Sequence, residues 1–412
     1  MRQKRQKHNN SVNRGHRNIL LQDVFILFTM CRRTRLVFLF SVTILSRIMT
    51  KQKKVFVGLS GGVDSSVSAA LLKQEGHEVV GVFIKVWQAD FLPCTWREER
   101  RDAMRAAAHL GIPFLTLDLE KEYKEGVVDY MIREYGAGRV PNPDVMCNKQ
   151  VKFGAFLEYA KNHGADHIAT GHYAQIASLP DGPRLLAGKD KEKDQSYFLW
   201  TLSEEQLSHT LFPVGHLQKS EVRELARKFG LPNADKKDSQ GLCFMGAVDM
   251  AEFLKHYLKT TNGDVVNEDG KVIGQHDGAI LYTIGQRHGF TTTKNATDEE
   301  PYFVIAKDIQ KNTLTVAHRS PEHEGTGSLF VKADQCNLIA PAQLWALNSE
   351  KKIMARIRYR GILCPVVLAH DPDRNDQITV SFTHRPEGIS SGQSIVFYHN
   401  EECLGGGVID EI

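Results

Sequence analysis

Val55-Phe56-Val57-Gly58-Leu59-Ser60-Gly61-Gly62-Val63-Asp64-Ser65-Ser66 decides how this 412-residue chain is read. Residues 55 to 59 are an apolar run, the pattern of a buried strand. The small residues after it leave little side chain, and Val67 to Gln74 then reads as a helix with Leu71 and Leu72 turned inward. Strand, glycine turn and helix together aim several backbone N–H groups and a helix N-terminus at one spot, where a phosphate or pyrophosphate is attracted. No Lys follows the second Gly, so the stretch is not a Walker loop. Its spacing is not G-x-G-x-x-G either, which argues against a dinucleotide site.

Around this stretch, apolar strands and helices alternate. Val79–Val86 and Phe114–Leu119 read as strands, Arg97–His109 as a helix with Met104, Ala107 and Ala108 on one face, and Val127–Tyr135 as another helix. That alternation implies a doubly wound parallel sheet with its ligand at the carboxyl ends of the strands. Val140 to Lys149 holds Pro141 and Pro143 and reads as a stiff loop, followed by a helix from Phe153 to Asn162. His167–Ala174 reads as a short strand ending in a glycine turn. Ser220–Phe229 reads as a helix capped by Ser220. Beyond about residue 260, short β-type segments alternate with Gly, Asn and Asp turns, among them Gly278–Thr283 and Met354–Tyr359. This texture predicts small β domains with a barrel at the end. The expected fold class is α/β: a doubly wound parallel-sheet catalytic domain over residues 49–250, a small central β-rich domain over 251–325 and a C-terminal β-barrel over 326–412.

The net charge of +3 hides an asymmetry: residues 1–48 carry +9, so the remainder carries −6. Any nucleic-acid site in the body is then a local basic patch. The first 48 residues mix Arg and Lys clusters with apolar runs shorter than the ~20 residues of a spanning helix. They read as an organelle leader or, preferably, as an extension outside the fold, with translation starting at Met49. No membrane association is expected. The seven cysteines form no C-x-x-C pair, which fits a reducing cytoplasm better than a secreted disulfide framework.

Two cysteines stand out by context. Cys147 ends the proline loop beside Lys149 and Lys152, and Cys243 lies in a glycine-flanked loop near Lys236 and Lys237. Neighbouring cations favour the thiolate, which is the nucleophile. Asp144, three residues before Cys147, is placed to move protons. Asp144, Cys147 and Cys243 could instead ligate an iron–sulfur cluster, a reading not preferred. Arg356-Ile357-Arg358-Tyr359-Arg360 puts basic residues on one face of a strand beside an aromatic, a pattern suited to phosphate contact and base stacking, or simply to a solvated face.

Ser60-Gly61-Gly62-Val63-Asp64-Ser65 resembles the pyrophosphate loop of ATP pyrophosphatases. It occurs in order with Pro141-Asn142-Pro143-Asp144-x-x-Cys147-Asn148-Lys149, Ala169-Thr170-Gly171-His172-Tyr173, Lys193-Asp194-Gln195-Ser196-Tyr197-Phe198, Lys237-Asp238-Ser239-x-Gly241-x-Cys243-Phe244, Tyr282-Thr283-x-Gly285-Gln286-Arg287 and Cys403-Leu404-Gly405-Gly406-Gly407. This ordered set resembles the tRNA-specific 2-thiouridylase family from about Lys53 to Ile412. The resemblance implies ATP, expected with Mg²⁺, on Gly58, Leu59, Ser60, Gly61, Gly62, Val63, Asp64 and Ser65, with Ile84 and Gly171 at the nucleotide. It implies adenylation of the C2 oxygen of the wobble uracil, sulfur delivery from a persulfide on Cys243 that a donor protein loads, Cys147 as partner nucleophile, and a Cys147–Cys243 disulfide left behind. Asp144 would be the acid/base group, with Asn142 and Pro143 bounding the flipped base. His172, Lys193, Asp194, Gln195, Arg358, Tyr359 and Gln393 would touch tRNA.

The chain departs from the family pattern at Val86, where Asn is common, at Gln240, where Thr is usual, and at Phe290–Asn295, which replaces a glycine-rich loop. Two other readings compete: an adenylating ligase of the same loop type acting on a small molecule, and a non-catalytic RNA-binding module. The paired cysteine loops argue against the first, and the intact nucleotide loop and both thiols against the second.

Overall fold

The computed structural model describes residues 52–92, 95–238, 249–292, 300–318, 327–370, 377–384, 386 and 388–411. Cys31, Cys94, Cys243, Gln240, residues 1–48 and residues 293–295 therefore lie outside the described residues. Lys53–Ile412 forms one compact unit.

The unit begins with β1 (Lys54–Gly58), α1 (Val63–Gln74), β2 (Glu78–Lys85), α2 (Trp96–Leu110) and β3 (Phe114–Asp118). A continuous helical run over residues 120–136, α3, is wound as a π-helix at Lys124–Val128. A second run over 143–162, α4, is wound the same way at Cys147–Ala155. Then come β4 (His167–Ala169), the hairpin β5 (Ala174–Leu179) and β6 (Gly182–Ala187), β7 (Thr210–Leu211) and α5 (Lys219–Lys228). The order β3-β2-β1-β4-β7 is parallel throughout. The sheet is covered on both faces, which is why β1 is apolar without alternation. Val55, Val57 and Leu59 pack with Ala69 and Leu72 of α1 and Ala103 and Ala107 of α2. Phe56, Val82 and Ile168 share the opposite core with Met131 of α3 and Phe153 and Phe156 of α4. The strand order switches sides between β1 and β4, with β2 and β3 added on one side and β4 and β7 on the other, so the loops leaving these two parallel strands flank the crevice where α/β sheets bind ligands.

Several local expectations change. Pro143 does not close a loop; it opens α4 at the first helical position, where Asn142 caps it by accepting the Val145 N–H. The missing N–H of a proline costs nothing there. Helix α2 buries Ala103, Ala106 and Ala107 and leaves Met104 42% exposed, because the small alanines let the helix lie close to the sheet. Helix α5 starts at Lys219 and is capped by Gln218 through a reciprocal box with Glu221, not by Ser220.

The second sheet has the order β10-β9-β8-β12-β11, from β8 (Gly263–Val266), β9 (Val272–His276), β10 (Phe290–Thr292), β11 (Phe303–Asp308) and β12 (Thr313–Ala317). It follows α6 (Met250–Lys255). Within it, Gly278–Thr283 is not a strand: Ala279–Leu281 makes a 3₁₀ turn. The last part comprises β13 (Gly327–Leu338), α7 (Pro341–Ser349), β14 (Ile353–Arg356), β15 (Cys364–His370), β16 (Gln377–Phe382), β17 (Ser394–His399) and β18 (Glu402–Glu411). Pairing of β13 with both β16 and β18 closes the ring β13-β16-β15-β14-β17-β18 around a core of Leu329, Ile353, Val380 and Phe397. The Gly405–Gly407 run belongs to this closure, since these residues pair with Leu338, Asn337 and Cys336. Hairpin β5–β6 extends the same sheet: Leu186 and Leu185 pair with Glu402 and Cys403 of β18. The N-terminal half thus contributes its own strands to the sheet of the barrel. Strand β14 ends at Arg356, and residues 357–360 turn away from the sheet, with Arg360 at φ 58°.

Lys307 on β11 is a measurable consequence of this packing. Burial pushes its ammonium down from 10.5 to about 8, and the Tyr282 carbonyl accepts its hydrogen bond at 2.9 Å. A base whose folded pKa is depressed costs stability while it is charged in both states; that cost is relieved as pH rises from about 8 to 10.5. Lys307→Met should therefore stabilise the protein by about 1–2 kcal/mol at pH 7, with the gain shrinking towards pH 10.5. Thermal melts at the two pH values read this directly. An equal gain at both would rule out desolvation of the ammonium as the cause.

Candidate active site

The turn after β1 is stitched internally. Ser65 Oγ receives the Ser60 N–H at 3.3 Å, and Ser66 Oγ donates to the Gly62 carbonyl at 2.9 Å. Asn233 reaches in from beyond α5, and its buried Nδ2 lies 3.0 Å from Gly61 O, 3.1 Å from Gly62 O and 3.0 Å from Ser66 Oγ. Gly61 has φ +75°, and a Cβ there would come within 2.4 Å of the Glu99 carbonyl on α2. Gly62 is the N-cap of α1 and no side chain caps that helix, so its first-turn N–H groups remain available to an anion.

A cavity of about 520 Å³ opens over this turn. Gly58, Leu59, Ser60, Gly62, Val63, Asp64 and Ser65 line it, as do Ile84 and the departure Val86 at the end of β2. Gly171 and His172, from the turn after β4, line the other side. Gly61 lies behind the lining and shapes the turn. Cys147 is buried in the π-wound turn of α4 and faces the same cavity, with Lys152 one turn further on. The expected nucleotide loop and one of the two expected thiols therefore share a single cavity, although 82 residues separate Ser65 from Cys147.

The remaining candidates divide by position. Lys193, Gln195 and Tyr359 line the cavity. Gln195 Oε1 accepts the Tyr173 N–H at 2.9 Å. Tyr359 packs against Phe198 at 4.6 Å between ring centroids, and the Arg360 guanidinium lies over the Tyr359 ring at 5.1 Å. Arg358 is exposed next to it. Asp194 is buried: its oxygens accept the Gly188 N–H at 2.9 Å and the Ser196 N–H at 3.1 Å, and Arg356 stands 3.6 Å away. Asp194 thus braces the 188–196 loop from within. Asn142, Pro143 and Asp144 start α4 outside the lining. Burial pushes the Asp144 carboxyl up, with Lys152 opposing. Gln393 lies just before β17, where its carbonyl accepts the Ile409 N–H of β18 at 2.8 Å, and its Oε1 is buried and unpartnered. His172 donates to or accepts from Thr170 Oγ1 at 2.7 Å, and burial, aided by Lys152, holds its imidazole well below 6.5. It is neutral at physiological pH.

Two residues of the site, Asn233 and Lys219, carry no sequence motif of their own. Lys219 Nζ lies 2.7 Å from Asp64 Oδ1 and 2.8 Å from Asp238 Oδ1 at the cavity wall. Burial pushes the Asp238 carboxyl up, but hydrogen bonds from Lys193 and Lys219 outweigh it and bring it down to about 2. The Asn233–Gly61 and Lys219–Asp64 contacts join residues more than a hundred positions apart, so only the fold reveals them.

Three family models match in succession. The tRNA methyl transferase HUP domain covers residues 53–247, the tRNA methyl transferase PRC-barrel domain 251–318, and the aminomethyltransferase beta-barrel domain 330–409. The tRNA-specific 2-thiouridylase MnmA of Enterococcus faecalis is 44% identical over 360 residues, which is 87% of this chain and 95% of that protein. Its counterpart in Streptococcus thermophilus is 45% identical over 362 residues with the same coverage. The chain belongs to the tRNA-specific 2-thiouridylase family. A 2-thiouridylase from Geobacillus thermodenitrificans, 44% identical over 363 residues, spans 88% of this chain and 95% of its own length. In this chain the first part of the departure, Phe290–Thr292, forms β10, paired with His276–Gly274 of β9. Among the described residues no helix is long and apolar enough to cross a membrane, and no group of three or more His, Cys, Asp or Glu could hold a metal ion.

Proposed function

We propose that this protein is an ATP-dependent tRNA uridine 2-sulfurtransferase acting on the wobble base. One observation carries the reading: the pyrophosphate-type loop and Cys147 wall the same cavity, with the Tyr359–Arg360 corner beside them. A nucleotide loop supplies activation and a thiol supplies sulfur chemistry. A cavity that holds both suits a reaction in which a base oxygen is first made a leaving group and then displaced.

ATP is a substrate of the first step. The uncapped first turn of α1 and the Ser60–Ser65 turn would hold its phosphates. The uracil C2 oxygen attacks the α-phosphorus, the bond to the β-phosphate oxygen breaks, and pyrophosphate leaves. The terminal sulfur of a persulfide on Cys243 then adds at C2 and AMP departs. The Cys147 thiolate attacks the Cys243 sulfur, the S–S bond to the transferred atom breaks, and that sulfur remains on C2 as the thiocarbonyl. A Cys147–Cys243 disulfide results, which an external thiol must reduce. Closing it needs Cα atoms ~5.5 Å apart.

Asp144, with its raised carboxyl, serves as the proton carrier, and Asn142 and Pro143 bound the extruded base. Arg358, Tyr359, Lys193, Gln195 and Gln393 contact the anticodon arm. Asp194 acts through the loop it braces, and His172 as a neutral hydrogen-bonding wall. Mg²⁺ accompanies the nucleotide, a persulfide-carrying protein loads Cys243, and the reaction belongs to the reducing cytoplasm. Residues 49–250, 251–325 and 326–412 serve as catalytic, central and barrel domains, and residues 1–48 lie outside them.

The matched models are described by methyl transfer, but a sulfonium methyl donor carries no phosphate for the Ser60–Ser65 turn to hold. The test runs purified protein with ATP, with and without tRNA, and with a labelled sulfonium methyl donor in parallel. tRNA-dependent pyrophosphate release and 2-thiouridine in the digested tRNA are expected. Label in the tRNA without pyrophosphate release, or release driven by a small metabolite in place of tRNA, would overturn the proposal.

A further inference from the structure

The loop after β1 lacks the lysine that a Walker loop would place on a nucleotide's outer phosphates. From the ion-pair geometry we infer that Lys219, the first residue of α5, supplies that cation to this cavity and is a catalytic residue for pyrophosphate departure. The inference rests on the nucleotide-activating reading of the site.

The geometry has three parts. First, Lys219 is only 13% exposed in its side chain, and it lines the same wall as Ser60, Gly62 and Asp64. Its backbone is fixed, because its N–H donates to Asp190 Oδ2 at 2.9 Å. Its ammonium also lies 5.8 Å from the Tyr173 ring centroid. Second, Nζ sits between two carboxylates, 2.7 Å and 2.9 Å from the oxygens of Asp64 and 2.8 Å from Asp238. Third, each carboxylate keeps another donor if Lys219 turns to a phosphate. Asp64 retains the Tyr173 hydroxyl at 2.8 Å. Asp238 retains Lys193 at 2.8 Å and Arg223 at 2.8 Å. A lysine locked in a purely structural pair would leave a half-buried carboxylate bare on leaving, which is costly. Here the replacement donors are already in place, so Nζ can be shared with an incoming polyphosphate at low cost.

Negative charge grows on the bridging and β-phosphate oxygens as the bond to the α-phosphorus breaks. A positioned ammonium is worth most at that moment. Lys219 would therefore bind ATP through its outer phosphates and stabilise the leaving pyrophosphate, while contributing nothing to the adenosine moiety.

The experiment compares wild type, Lys219→Met and Lys219→Arg in calorimetric titrations with ATP, inorganic pyrophosphate and adenosine, alongside tRNA-dependent pyrophosphate release. Losing one charge-assisted contact should weaken ATP and pyrophosphate binding by about 10- to 100-fold in Lys219→Met. Adenosine and tRNA affinities should hold, kcat for pyrophosphate release should fall further than binding, and Lys219→Arg should recover part of both. Equal loss of adenosine and pyrophosphate affinity would mean that Lys219 only supports the fold, and unchanged pyrophosphate affinity would mean that it does not meet the phosphates. Either overturns the assignment. A wild type that binds ATP yet releases no pyrophosphate with tRNA would sink the proposed reaction, and the titrations would still decide the role of Lys219 in phosphate binding.

Discussion

Cys147→Ser should abolish 2-thiouridine formation, by at least about 10³-fold, the scale on which removing a covalent nucleophile acts. Two features of its surroundings sharpen the expectation. Cys147 is buried within α4, between Met146 and Asn148, so a near-isosteric Ser leaves the helix and its core contacts in place. The pyrophosphate loop on the facing wall is untouched, so activation of the base should proceed as far as one turnover. A burst of about one pyrophosphate per active site, followed by arrest, is the expected kinetic signature of a step blocked after activation. Cys243→Ser should give the same burst but stop one step earlier, at the adenylated base, whereas Cys147→Ser stops after AMP has left. Quenched-flow measurement of pyrophosphate and mass spectrometry of digested tRNA give both readouts, with tRNA affinity as the control. Full thiolation by Cys147→Ser would remove it from the sulfur chemistry. Loss of the burst itself would instead move Cys147 into the activation step.

What the sequence made legible follows a physical divide. The strand–turn–helix at Val55–Gln74 is local: apolar run, glycines and helix lie within one stretch, and the structure keeps them so. Its neighbourhood to Gly171 is legible only by family resemblance, because it depends on β1 and β4 lying side by side across more than a hundred residues. The proline stretch was harder. Pro141 and Pro143 signal a break, yet the same Pro143 is the residue best suited to start a helix, and local pattern alone does not choose between the two. Arg356–Arg360 looked like a strand face. The chain leaves the barrel at Arg356 instead, so Arg356 turns in towards Asp194 and Tyr398 while Arg358 and Arg360 stay at the surface. Asp194 sits in a charged, loop-like stretch that suggests exposure, yet it is buried because three donors converge on it. Lys219 and Asn233 were invisible: neither has a distinctive neighbour in sequence, and each acts on the turn at Gly61–Asp64 through contacts that tertiary packing alone creates.

Gly171→Ala should cost at least about 100-fold in ATP affinity, or roughly 2.7 kcal/mol, although it adds a single methyl group. A Cβ at Gly171 would stand 2.7 Å from the Ser65 nitrogen, 2.8 Å from the Asp64 carbonyl carbon and 3.0 Å from Asp64 Cβ. Two of these are backbone atoms in the first turn of α1 and cannot swing aside like a side chain. Moving them means moving α1, which is anchored by buried Val63 and Val67 against Val214 and Val222. Over-packing of this kind costs about 1–3 kcal/mol, and here the strain falls on the N–H groups that would receive the phosphates. Asp64 would shift with them and take its hydrogen bonds to Lys219 and Tyr173 along. The effect should therefore be selective: ATP affinity lost, tRNA affinity within about threefold, and a lowered melting temperature. Gly136→Ala is the matched control. A Cβ there meets only Leu258 Cδ2, at 3.4 Å, so helix propensity should make it neutral or mildly stabilising. Wild-type ATP affinity in Gly171→Ala would show that the turn after β4 can yield without disturbing the cradle, and the close approach of the two turns would then have no bearing on nucleotide binding.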